Sequence, residues 1–137
     1  MALKLTAPVE QEFLLERTDR QYSTEGTLVR IRQATQRDHE RRAKIYSTLI
    51  RRIEENELGN ESVSFIQHFS FPELMRIQAM LTVIESNIED ENGKAMFWRG
   101  MSDVEFNASW GKLPAIVAIE IHDHVLELNP DWMPQGE

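Results

Sequence analysis

The sequence predicts an α+β fold, mainly helical with about four helices, that carries a small N-terminal antiparallel β-hairpin or three-stranded sheet. Three observations carry that expectation. Thr27 to Arg32 alternates apolar and polar residues as a half-buried strand does, and Phe13-Leu14-Leu15 precedes it across a polar segment holding Asp19, Ser23, Thr24 and Gly26. Leu74, Ile77, Leu81, Ile84 and Ile88 recur at spacings of three and four, the pattern of a helix face turned toward a core. From Ser102 to Pro130 the chain lays down helix starts and stops in an ordered series.

In chain order, residues 1–8 form a loose leader ending at Pro8, and the hairpin follows. Thr35 and Asp38 mark a helix start, with the helix running to about Glu57, where Leu58-Gly59-Asn60 ends it. Its first half is almost entirely charged. Ile45, Tyr46, Leu49, Ile50 and Ile53 make an apolar stripe only in the second half, which predicts docking by the C-terminal part. Between Glu61 and Phe69, Val63, Phe65 and Gln67 alternate with Ser64, Ile66 and His68, which predicts a third strand. Ser70 and Pro72 then cap a second helix, which must end before the turn Asp90-Glu91-Asn92-Gly93-Lys94. Ser102-Asp103-Val104-Glu105 fits a capping box opening a short helix through Phe106 and Trp110, with Gly111 as its stop. Leu113-Pro114 sets proline at the first position of a last helix, which reaches about Asn129 before Pro130 forbids continuation. The expected organisation is one domain: leader 1–8, sheet and charged helix 9–69, helical part 70–130, and tail 131–137.

At 137 residues the chain is long enough for one core and too short for two. No apolar run approaches the roughly 18 residues of a membrane span, and the first residues lack the pattern of a secretory signal, so a cytoplasmic location is expected. Cysteine is absent, which excludes disulfides, thiol nucleophiles and thiolate zinc sites. The net charge of −8 conceals a division: arginines gather between Arg30 and Arg52, whereas acidic residues dominate from Glu85 onward. Such a distribution suits pairing of the two halves or head-to-tail association.

Catalytic patterns are poor, so neither an enzyme nor a cofactor or metal is expected. His39, His68, His122 and His124 are the imidazoles, and His122 and His124, two apart on a helix, point to different sides. A calcium loop with Gly93 at its sixth position would need acidic groups where Ile88 and Arg99 stand. Arg41, Arg42, Arg51 and Arg52 could meet phosphates, but no aromatics are interleaved to stack bases, which disfavours nucleic acid. What remains distinctive is apolar surface. Val117, Ile121, Val125 and Leu128 form one stripe of the last helix, yet Ile116, Ile119 and Leu126 lie outside it. The candidate protein-binding residues are Trp98, Phe106, Trp110, Ile119, Leu126 and Trp132, with Arg41 and Arg42 for an acidic neighbour. The competing reading places the same aromatics in the core. Six methionines would let a binding surface repack against varied partners.

The succession of a hairpin ending Val29-Arg30-Ile31-Arg32-Gln33-Ala34-Thr35, a charged helix, the segment Asn87-Ile88-Glu89-Asp90-Glu91-Asn92-Gly93-Lys94, then Met96-Phe97, Phe106, Trp110, Leu113-Pro114 and Leu128-Asn129-Pro130 resembles the tail assembly chaperones of long-tailed bacteriophages. The resemblance covers about residues 27–130 and is one of order and texture. It implies a non-enzymatic morphogenesis protein of the host cytoplasm that binds the helical tape measure protein, keeps it soluble, and yields as the tube polymerises. Some members of that family self-associate. The alternatives are an acidic adaptor or decoy acting on a host factor, or another phage structural or packaging protein.

Overall fold

The computed structural model describes residues 2–17, 23–53 and 63–132, with the side chains of 49, 50, 52, 53 and 63–70 outside that description. Its elements are β1 (Glu10–Leu14), β2 (Leu28–Arg32), α1 (Gln36–Ile53), α2 (Val63–Thr82), β3 (Val83–Ser86), α3 (Asp103–Trp110) and α4 (Ala115–Leu128), followed by a 3₁₀ turn at Pro130–Trp132. The expected α+β class is observed, with an antiparallel sheet in the order β1-β2-β3.

The alternation of β2 sorts its two faces. Val29 and Ile31 point inward and are fully buried, while Arg30 points outward between Glu12 (3.4 Å) and Glu85 (3.5 Å) on the flanking strands. Phe13 of β1 stands opposite Val29 and extends the apolar face. That face packs on α4 through one hydrophobic cluster that includes Ile121 and Val125, together with Ile77 and Leu81 of α2 and Phe97, Phe106 and Trp110. α1 in turn packs on α2.

Local signals decide several boundaries. Thr35 accepts the Asp38 amide, and the Asp38 carboxylate accepts the Thr35 amide, closing the start of α1. The capping box at α3 forms as expected, with Ser102 accepting from the Glu105 amide at 3.1 Å and Glu105 accepting from the Ser102 amide at 2.9 Å. Asp90 accepts the amides of Asn92 and Lys94, and Gly93 takes the positive φ of 78° that the bend requires. Gly111 ends α3 with φ −64°, so it acts without the left-handed conformation. Pro114 falls one position early, as the N-cap of α4.

Two expectations are overturned between 61 and 90. Within the described residues, 63–69 belong to α2, so the expected third strand is helix and Pro72 lies inside it rather than at its cap. Unbroken α2 then ends at Thr82, and Val83–Ser86 becomes the third strand; the expected helix continuing past Ile84 to Ile88 is absent. Short apolar runs carry no decisive period, and pairing with β2 gives Val83–Ser86 a backbone partner on a strand whose inner face is already buried. The expected end of α1 near Glu57 lies outside the described residues. α1 also docks earlier than its charge pattern suggests, because Asp38 is buried and His39, Arg42, Ile45 and Tyr46 are half-buried.

Trp110 tests the core. It is 9% exposed and stacks near Phe106 with ring centroids 5.9 Å apart. Trp110→Ala is expected to cost about 3–5 kcal/mol of stability, measured as a lowered urea midpoint with an unchanged slope.

Candidate protein-binding surface

The eight residues singled out from the sequence separate into three groups. Phe106, Trp110 and Trp132 are buried in the chain's own core, at 3%, 9% and 3% exposure, and offer no ring to a partner in this conformation. Arg41 and Arg42 are engaged within the chain. Arg41 reaches Asp103 at 2.9 Å and ties α1 to the start of α3, while the Arg42 guanidinium lies 5.4 Å over the Trp132 ring. Trp98 and Ile119 are exposed, at 36% and 45%, and Leu126 is half-buried against the core.

Trp98 belongs to the loop between β3 and α3, and its neighbours fix it. Arg99 reaches Glu10 at 3.0 Å and Glu85 at 3.3 Å, fastening the loop to both edge strands. These contacts hold the Glu10 carboxyl below, and the Arg99 guanidinium above, their usual values, the hydrogen bond between the two being the main cause. Phe97 immediately before is buried, and Gly100 immediately after turns the chain at φ 89°. Trp98 therefore stands at the rim of a cleft of about 240 Å³ whose apolar lining includes Met80, Val83, Ile84 and Met101. Other exposed apolar side chains escaped the sequence reading: Val104 (79%), Phe71 (39%), Leu14 (50%), and Leu3 and Leu5 in the leader. Val104 was masked by its acidic neighbours. The large apolar residues Leu3, Leu5 and Val9 in a short stretch with little else to bury them were the signal available for the leader.

Behind α1 and α4 lies a buried polar cluster. With its amide oxygen turned toward α1, Gln78 accepts from Arg42 Nε at 2.9 Å and Nη2 at 3.1 Å while its nitrogen donates to His122 Nε2. The Trp132 indole N–H donates to His39 Nδ1 at 3.0 Å, locking the 3₁₀ turn onto α1. Burial pulls the Arg42 guanidinium down from its usual pKa, and it pushes His122 down to about 4 against a smaller opposing effect of Asp123. His124 points elsewhere, stacked on Phe13 with ring centroids 4.5 Å apart. No three histidine, aspartate or glutamate side chains among the described residues come together as metal ligands, and no helix there is long and apolar enough to cross a membrane.

A carboxylate the sequence reading passed over anchors the hairpin. Glu120 is buried on α4 and accepts the backbone amides of Glu16 (2.7 Å) and Arg17 (3.0 Å). Its neighbour Asp123 pairs with the Arg17 side chain. The chain matches no protein-family model, no curated protein and no solved structure.

His122 gives a pH dependence of stability. The unfolded chain takes up a proton near pH 6.5 while the folded one resists until about pH 4, so the stabilisation is complete above pH 6.5 and declines as the pH falls toward 4. The loss is on the order of 3 kcal/mol. His122→Gln should flatten this part of the unfolding free-energy profile relative to wild type, with chemical denaturation at stepped pH as the measurement.

Proposed function

We propose that this protein is a non-enzymatic, protein-binding morphogenesis factor of the kind its sequence resembles, a tail assembly chaperone of a long-tailed bacteriophage. In this reading it binds the helical tape measure protein through apolar stripes and keeps it soluble until the tube forms. The observation that carries the reading is Trp98, a large aromatic left 36% exposed on a loop that Arg99 fastens at both sheet edges. An anchor whose backbone is already ordered loses little further entropy on binding, and tryptophan is the side chain most enriched at binding hot spots. Ile119 and Val104 add separate apolar contacts on α4 and α3, and the net charge of −8 keeps such a surface solvated.

The test is co-expression of the full chain with a tape measure fragment, followed by size-exclusion chromatography of the joint species. A stable joint peak is expected, with Trp98→Ala weakening it by about 2 kcal/mol and leaving the thermal midpoint of the chaperone unchanged. Tape measure fragments that stay aggregated and unbound in its presence would remove the proposal.

A further inference from the structure

β1 is an edge strand, because the sheet runs in the order β1-β2-β3. Val9 accepts the Gln33 amide at 2.8 Å and Leu15 donates to the Thr27 carbonyl at 2.9 Å, so the odd-numbered backbone groups from Val9 to Leu15 face β2. Backbone direction alternates along an antiparallel strand. The N–H and C=O groups of Glu10, Glu12 and Leu14 therefore point away from the sheet, and they meet no hydrogen-bond partner among the described residues. All three residues are exposed. Pro8 has no N–H where the outward series would continue, which ends the open edge at Glu10.

The side chains of these three residues stand on the face turned from α4, since Phe13 between them lies on the buried face. On that outer face Glu10, Glu12 and Glu85 share the guanidiniums of Arg30 and Arg99, while Arg32 is spent on Asp38. Glu10 and Glu85 each reach both arginines. Glu12 reaches Arg30 alone among the described residues, at 3.4 Å, and its side chain is 51% exposed. The outer face thus holds a carboxylate beyond its cations, and that excess sits on the open edge.

We propose that the open edge of β1 receives an extended cationic segment of a different protein, which adds a strand antiparallel to β1 and sets Lys or Arg opposite Glu12. Unpaired backbone groups select an extended chain, since a helix has already paired its own. The excess carboxylate selects the sign of its charge. A second copy fits poorly. The antiparallel register that pairs the full edge of two copies sets Glu12 against Glu12, and like charges directly opposite destabilise a pair. Residues between the cations of the added strand lie beside Gln11 and Phe13 on the face toward α4, where Phe13 stacks on His124, and apolar side chains suit that place. Leu14, 50% exposed, takes an apolar neighbour at the end of the series. The inference is independent of the proposed function, whose partner is helical and meets Trp98.

The test is titration of the full chain with a soluble peptide of alternating lysine and valine, read as amide hydrogen exchange residue by residue in NMR spectra. Exchange at Glu10, Glu12 and Leu14 should slow, while Gln11 and Phe13, already in the ladder, change little. A peptide of alternating glutamate and valine should leave all five unchanged. Glu12→Lys should weaken the lysine peptide by about fivefold or more and let the glutamate peptide protect the same amides. Leu14→Pro removes an outward donor at a position where the ladder to β2 needs none, and it should weaken binding with the charge intact. Should that variant fail to melt cooperatively, N-methylation of the peptide's lysine amides, which face β1 in this pairing, replaces it and should abolish the protection. Wild type left unprotected by the lysine peptide, equal protection by both peptides, indifference to Glu12→Lys, or protection that rises with protein concentration when no peptide is present would each overturn the proposal.

Discussion

The contact between the inner face of β2 and α4 is the constraint on which the other elements depend. Val29 and Ile31 meet a helix whose Ile121 and Val125 are equally sealed from water. A strand placed centrally, between β1 and β3, can bury its apolar side chains only if something lies across that face, and α4 does so. Glu120 of the helix and Asn129 at its C-cap hold the sheet at opposite ends. Glu120 takes the amides that follow β1, and Asn129 accepts the Ala34 amide at 2.7 Å while donating to the Arg32 carbonyl at 3.3 Å. Sliding α4 by one turn would leave a buried carboxylate without donors, a cost large enough to fix the register.

Buried charge follows the same logic elsewhere. Arg32 grips both oxygens of Asp38 and also donates to the Leu81 carbonyl at 2.7 Å, joining the end of β2 to α1 and α2. Burial alone would push the Asp38 carboxyl up, but the hydrogen bonds and charge of Arg32, with Thr35, outweigh it and hold the group below its usual range. The cluster of Arg42, Gln78 and His122 differs, because among the described residues no buried carboxylate partners its histidine, and burial holds the imidazole neutral instead. Polar cores of this sort fix which helix face meets which neighbour.

The division of charge along the chain is partly consumed inside the molecule. Arg41 with Asp103 and Arg99 with Glu10 and Glu85 join distant segments, and the outer face of the sheet is a ladder of alternating sign around Arg30. Exposed pairs of this kind add little stability individually. Their effect is positional: they leave Trp98 on a fastened loop.

Whatever a few neighbouring residues could settle was legible in the sequence by itself. The hairpin, the helix start at Thr35, the capping box at Ser102, the Asn92-Gly93 turn and the last helix between Pro114 and Pro130 all follow from local hydrogen bonding and backbone sterics. The α+β class followed from them. The helix face of Leu74, Ile77 and Leu81 was legible too, but residues 63–69 and 83–86 on either side did not yield, because a helix and a buried strand make similar use of Val63, Phe65, Ile84 and their neighbours, and only the offer of an open edge on β2 turns Val83–Ser86 into strand. The tertiary structure likewise decided which aromatics were core. Phe106, Trp110 and Trp132 look no different from Trp98 in composition, and their burial depends on α2, α1 and α4 arriving from elsewhere in the chain. Side-chain burial is a property of distant segments meeting, and no window of sequence contains both partners.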